Sequence, residues 1–333
     1  MQHFDVRRGL AAAAAWLILS MSAGAVSLIP GGNTIGIEAH TDGILISDVS
    51  EIQTADGTVS PAKDAGLRAG DLITAIDGQR VTTQTEFLDA LSHSHGKVSV
   101  TYLRGGGEKT CSVQPVESDD GTRQLGLWLR DGVSGVGTVT YYDPDACAFG
   151  ALGHGVTDEA TGVLLPIAGG TIHTAQISGV TPGASGAAGA LQGVFDVNTP
   201  VGTVNENSVF GVFGACSEPP SGATVETASD DEVEVGAAVI RCTVSGGDVR
   251  DYDIQIKRIF RENEGTRFLI EVTDPALLQA TGGIVQGMSG SPILQNGRLV
   301  GAVTHVLLED AAMGYGVSID TMLAAQAQMQ NAA

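Results

Sequence analysis

The segment best suited to carry chemistry is Gly287-Met288-Ser289-Gly290-Ser291-Pro292-Ile293, which follows Gly282-Gly283. A nucleophilic serine needs its Oγ exposed on a tight turn, with backbone N–H groups converging on the oxyanion, and glycines on both sides of Ser289 permit both. A glycine-rich turn with an idle serine has the same local sequence, so a general base must accompany it. His154 lies in Phe149-Gly150-Ala151-Leu152-Gly153-His154-Gly155-Val156-Thr157-Asp158, between two glycines that admit neighbours to the ring. His305 follows the serine on a predicted strand, Leu299 to Val306, where it is expected to pack or to line the site. His173, in Thr171-Ile172-His173-Thr174, reads as an ordinary strand residue. A serine paired with a histidine would perform acyl transfer through a covalent intermediate.

Such a pair must be held by a scaffold, and the composition indicates which kind. The chain has 333 residues, of which 46 are glycine. Glycine costs roughly 1 kcal/mol in a helix interior but serves turns and bulges freely, so a β-dominated chain is expected. Hydrophobic content of 43% suffices for packed cores, and the length allows two domains. With 17 basic and 38 acidic residues the net charge is −21, which argues against general nucleic-acid binding. The cysteines at 111, 147, 216 and 242 have no metal-knuckle spacing, and they read as small core residues or as one or two disulfides. Neither a metal nor an organic cofactor is inferred.

Arg7 and Arg8 precede an uncharged stretch, residues 9–29, that reads as a signal peptide or a membrane anchor, with Ala23-Gly24-Ala25 as a small-residue cleavage site. Basic residues ahead of the stretch keep the N-terminus inside and send the remainder outside, so the body is expected to be extracytoplasmic.

A first unit is predicted over residues 30–116. Ile35-Gly36-Ile37 opens one strand, Gly43 to Ile46 forms a second, and Lys97 to Leu103 alternates as a later one. Ser60 to Asp71 reads as a short helix ended by glycine, and Thr85 as the N-cap of another running to Leu91. The run Ala65-Gly66-Leu67-Arg68-Ala69-Gly70-Asp71-Leu72-Ile73, with Ile76-Asp77-Gly78 after it, resembles a PDZ domain. PDZ domains bind an extended peptide by strand addition. The resemblance implies that Thr34, Ile35, Gly36 and Ile37 form the peptide-binding loop, or that the unit docks on its own catalytic partner.

The acidic stretch 117–121 is predicted to be a linker, and residues 122–333 a second unit rich in short strands, with a helix only at its tail, Ile319 to Met329. The serine pattern resembles that of chymotrypsin-like proteases, which implies the N–H groups of Gly287 and Ser289 as the oxyanion hole. The whole chain is similar to the stage IV sporulation protein B peptidases, through Leu125 to Asp131, Gly135 to Pro144, Gly150 to His154, Gly282 to Ile293 and Gly301 to Val306.

This resemblance implies a mainly β protein: a PDZ domain followed by a trypsin-like double β-barrel. It implies His154 as base, Ser289 as nucleophile, and Asp274 in Val272-Thr273-Asp274-Pro275 as the orienting acid. Asp196 would suit the usual chymotrypsin order better, and the Thr304 hydroxyl is a further choice. The expected function is an extracytoplasmic serine endopeptidase of sporulation signalling. It would cut a membrane-associated regulatory protein, and itself, and so lead to activation of a late mother-cell sigma factor. The alternative is a PDZ-bearing adaptor that only binds peptide tails.

Overall fold

The computed structural model describes residues 25–54, 57–117, 121–158 and 162–330. Its first long element decides the architecture. β1 (Ser27–Pro30) leads through Gly31-Gly32-Asn33 into β2 (Thr34–Val49), a single 16-residue strand. Its outer half enters a small α/β unit built from α1 (Pro61–Asp64), β3 (Leu72–Ile76), α2 (Gln84–His93), β4 (Val98–Arg104) and β5 (Gly107–Val113). The chain then returns as β6 (Leu127–Asp143), antiparallel to β2 from Leu127 opposite Val49 to Thr138 opposite Thr34. The α/β unit is thus inserted at the tip of a two-stranded ribbon. Register shifts between Arg130 and Gly132 mark where the ribbon leaves the barrel.

This arrangement corrects two sequence expectations. Ile35–Ile37 and Gly43–Ile46 are one strand, not two, and the PDZ unit does not occupy residues 30–116 with a linker at 117–121. Residues 34–41 pair inside the barrel, whereas Leu125 is buried in the PDZ core beside Ile44, Ile46, Phe87 and Leu91. Two short strands, Val116–Glu117 and Arg123–Gln124, form a hairpin across the predicted linker, and residues 118–120 lie outside the described residues. The cap of α2 is Thr83, which completes a capping box with Glu86, rather than Thr85. Asp71, its carboxylate 1% exposed, is held by the Arg104 guanidinium through two bonds of 2.6 Å. Such a bidentate pair offsets the cost of burying the charge.

Beyond the ribbon, β6 continues to β7 (Ala148–Ala151), and β8 (Ile167–Thr181), β9 (Ala190–Ser208) and β10 (Gly211–Cys216) follow. Their pairings run β2–β6–β7–β10–β9–β8 and back to β2, a closed ring of six antiparallel strands. The second barrel is closed by β11 (Gly236–Thr243), β12 (Val249–Glu262), β13 (Gly265–Val272), β14 (Pro292–Gln295), β15 (Arg298–Leu307) and β16 (Asp310–Ser318). A short helix, α3 (Pro275–Thr281), precedes the serine turn, and α4 (Ile319–Gln330) ends the described chain. Separate cores fill the two barrels, one around Ile37, Val139, Phe149 and Ile172, the other around Ile240, Phe268, Val300 and Val303. The fold is therefore mainly β, a double barrel with a PDZ unit, as the sequence led us to expect.

β1 alters the reading of residues 9–29. Ile29 and Pro30 pair with β6, Ser27 and Leu28 pair with Val225–Glu226, and Leu28 is fully buried. The last residues of the predicted anchor form a strand on the edge of the first barrel, and the segment before residue 25 lies outside the described residues. Among the described residues no helix is long and apolar enough to cross a membrane. All four cysteines are free thiols. Cys216 and Cys242 are buried, while Cys147 is exposed.

Candidate active site

Ser289 and His154 come from different barrels and line one cavity of about 370 Å³. His154 follows β7 through a turn in which Leu152 (φ 68°) and Gly153 (φ 67°) are both left-handed. A Cβ on Gly155 would fall 2.3 Å from Leu164 Cδ1 and 2.5 Å from Ser208 O, so only glycine lets the histidine loop lie this close to its neighbours. The His154 Nδ1 faces the Gly155 carbonyl at 2.8 Å. A carbonyl can only accept, so this contact fixes Nδ1–H as donor and leaves Nε2 with a lone pair for a proton.

Burial holds the His154 pKa below the ordinary histidine value, with the Gly155 bond opposing weakly. Imidazole is the basic form, so lowering the pKa widens the range in which the base is ready. The acid limb of kcat/KM is therefore expected below pH 6.5, and a pH–rate profile on a neutral peptide substrate measures it. A limb above about pH 7 would contradict this environment.

His305 lies against His154 with ring centroids 4.4 Å apart and planes tilted by 34°. Although the residue keeps an exposed edge, crowding at the ring pushes its pKa down to about 4. Desolvation is the largest cause, followed by repulsion from His154 and Arg267. It packs against the candidate base, as the sequence suggested.

In the serine turn, the anchored carbonyls of Gln286 and Met288 each fix the N–H that follows. Gln286 O accepts from the Leu191 N–H at 2.9 Å, and Met288 O accepts from the Ser291 N–H at 2.9 Å and the Ser291 hydroxyl at 2.6 Å. In a trans peptide the N–H points opposite the C=O. The Gly287 and Ser289 N–H groups thus point away from these anchors, and neither has an acceptor among the described residues. Gly287 has φ 94°, a backbone that favours glycine, and an added Cβ would meet Leu191 Cβ at 3.1 Å. Such an arrangement can stabilise an oxyanion. The Ser289 hydroxyl itself donates to Thr304 O at 2.7 Å, so proton transfer to His154 would require rotation about one side-chain torsion.

The structure does not bring Asp274 to the histidine. Its carboxylate caps α3, accepting from the N–H groups of Ala276 at 2.8 Å and Leu277 at 3.1 Å, and it also accepts from the Asp253 N–H at 3.4 Å. Asp-Pro before Ala-Leu-Leu-Gln is itself an N-cap signal, with proline at the first helical position, and could have been read as one. Asp274→Asn, which can still cap, is expected to keep turnover within a few-fold of wild type. Asp274→Ala should lower stability by about 1 kcal/mol. Steady-state kinetics and thermal melts of the two variants check this.

Asp196 is equally occupied elsewhere, accepting from the N–H and the side-chain amide of Asn198. Thr304 contributes its carbonyl to Ser289 rather than its hydroxyl to the ring. The group opposite His154 Nδ1 is instead a main-chain carbonyl, which no residue-type search could have found. Asp158, 5% exposed, is the carboxylate on the cavity wall and was not singled out from the sequence. His173 is a buried strand residue in β8, 3.3 Å from Glu38 and stacked on Phe195.

The expected peptide loop is also displaced. Thr34, Ile35, Gly36 and Ile37 lie in β2, and Ile35–Ile37 pair on both edges, with Gly135–Gly137 of β6 and with Ile172–Thr174 of β8, so no edge remains for an added strand. A Cβ on Gly36 would fall 2.1 Å from the Phe195 ring, so this glycine serves packing. The apolar groove of the PDZ unit lies instead between α2 and the chain 123–129, lined by Phe87, Leu88, Leu91, Leu125, Leu127 and Leu129. Leu127–Leu129 pair on one edge only, with β2, among the described residues. The signal in the sequence was Leu125-Gly126-Leu127-Trp128, with Gly126 at φ 73° ahead of the strand.

A serine turn on one six-stranded barrel and a histidine loop on the other, facing across a shared cavity, define a trypsin-like serine peptidase, here with a PDZ unit inserted in its first barrel. The family model described as SpoIVB peptidase S55 matches residues 121–323, and one described as a PDZ domain matches residues 57–104. The chain belongs to the SpoIVB peptidase S55 family.

A curated relative, NMA0084 of Neisseria meningitidis serogroup A, named as a candidate zinc metalloprotease, is 38% identical over 78 residues. The match covers 22% of this chain and 18% of that protein, so the chain spans under a fifth of its length. Among solved structures, the active form of the Rv3671c protease from M. tuberculosis is similar over 59% of this chain and 74% of its own, at 16% identity and TM-score 0.38. The PDZ domain of the SdrC-like protein from Listeria monocytogenes is similar over 26% of this chain and 87% of its own, at 32% identity and TM-score 0.22.

Proposed function

We propose that this serine peptidase cuts peptide bonds through Ser289, with His154 as general base and the N–H groups of Gly287 and Ser289 as the oxyanion hole. His154 takes the hydroxyl proton as Oγ attacks the carbonyl carbon, then returns it to the leaving amine, and water resolves the acyl-enzyme. The observation that carries this reading is the single cavity shared by Ser289 and His154. A fluorophosphonate probe on the full chain tests it. Labelling should map to Ser289 and vanish in Ser289→Ala, and equal labelling of both proteins would sink it.

The cavity wall presents Ile37, Leu45, Val133, Val136, Val156 and Leu165 together with Arg130 and Asp158, which supports a substrate side chain with apolar bulk beside the scissile bond. The PDZ groove supports a protein substrate or regulator that adds an extended tail along Leu127–Leu129. Membership of the SpoIVB family supports the narrower role in sporulation signalling: cleavage of a membrane-associated regulator, and of itself, outside the cytoplasm, leading to sigma-factor activation. Arg7-Arg8 ahead of an uncharged segment supports export, since such segments direct the chain behind them across the membrane. Protease accessibility of the chain in intact spheroplasts tests the location. Protection of the chain until lysis would count against it.

A further inference from the structure

Thr138 is fully buried on β6, at the barrel end of the ribbon, and touches the serine turn of the other barrel twice. Its N–H donates to Ser289 O at 3.0 Å, and its hydroxyl donates to Gly287 O at 2.8 Å. Any residue but proline could make the first bond, but only a hydroxyl-bearing side chain of this length makes the second.

The second bond has a specific consequence at Gly287. The peptide before this residue is fixed by Leu191 N–H on Gln286 O, and the peptide after it by Thr138 Oγ1–H on Gly287 O. Gly287 has no side chain to resist rotation, and its left-handed φ of 94° is one of several backbone states open to glycine. The two anchors bracket it. Thr138 thus holds the peptide that lies between the two donor peptides, the one whose own N–H, that of Met288, donates to Val285 O at 3.1 Å. Releasing Gly287 O lets this peptide tilt and changes the spacing of the Gly287 and Ser289 N–H groups, and a donor displaced from the developing oxyanion loses most of its value. We propose that Thr138 is a positioning residue that holds the peptide joining Gly287 to Met288, and with it the spacing of the Gly287 and Ser289 N–H groups in the oxyanion hole. The proposal rests on the reading of Gly287 and Ser289 as the oxyanion donors.

The test compares wild type, Thr138→Val, Thr138→Ala and Thr138→Ser on a fluorogenic peptide, counting only the turnover that Ser289→Ala abolishes. Thermal melts and the inhibition constant of a peptide boronate, which mimics the tetrahedral state, are measured alongside. Thr138→Val and Thr138→Ala should lower kcat by about 10–100-fold, a fraction of the effect of deleting an oxyanion donor outright. KM should stay within about two-fold and boronate affinity should fall in step with kcat, because both report transition-state binding. Thr138→Ser should restore kcat to within about three-fold, since it keeps the hydroxyl. Alanine covers the case in which the extra methyl of valine prevents folding. Normal kcat in the alanine variant, or equal loss in the serine variant, overturns the proposal. Hydrolysis that survives Ser289→Ala would instead overturn the underlying reading.

Discussion

Ser289→Ala is expected to reduce kcat for peptide hydrolysis by about 10⁵–10⁶-fold, the scale seen when a serine peptidase loses its nucleophile. His154→Ala should cost a similar amount, and the double variant little more, because the two groups act in one proton transfer and cannot be removed twice. The fold should survive. Alanine leaves Thr304 O without its 2.7 Å donor, the loss of one neutral hydrogen bond, so the change should be about 1 kcal/mol. Progress curves with a fluorogenic peptide, and a melt of each variant, measure both quantities. More than about one percent residual turnover in Ser289→Ala would show that another group performs the attack.

Gly290→Ala should be nearly as severe for a different reason. A Cβ there would lie 2.0 Å from Thr138 O and 2.5 Å from Leu152 N, both main-chain atoms of the first barrel, and Gly290 has φ 94°. Neither neighbour can turn aside as a side chain could. The serine turn would have to back away from the very strand that leads into the histidine loop. Overpacking and left-handed strain together should destabilise by about 2–4 kcal/mol. Turnover should fall by at least about 100-fold, because a displacement near 1 Å at the reacting groups is enough for that. Gly297→Ala is the matched control. It too is left-handed, at φ 76°, but nothing lies within 4 Å of its Cβ, so it should lose about 1 kcal/mol and keep its activity. Comparable kinetic losses in both variants would mean that backbone strain, not the approach of the barrels, sets the rate.

These contrasts show which parts of the site were legible in the sequence. Ser289 and His154 stood out because their requirements are local: small neighbours, tight turns and a buried ring edge leave glycines at fixed positions. Glycine content and short strands pointed to a β-dominated chain, and the two barrels were what the family resemblance implied. Thr34–Ile37 were misread because alternation identifies a strand but not its partners, and these residues pair with segments about 100 and 140 positions away. Asp274 was taken for a triad member through resemblance, although its own neighbours describe a helix cap. Thr138 and the Gly155 carbonyl were invisible, since their contribution depends on contacts that exist only once the chain has folded around them.

The ribbon into which the PDZ unit is set has a consequence for biogenesis. A fragment of residues 122–333, the span that the family match nearly covers, would lack β2, a strand paired on both sides in the first barrel. That barrel cannot close until about 80 further residues have emerged behind β2 and β6 has come back alongside it. Folding of the inserted unit joins its two ends and removes most of the loop-closure entropy that β2 and β6 would otherwise face. The PDZ unit, which lies between β2 and β6 in the chain, can thus be complete during synthesis before the remaining strands of the first barrel emerge.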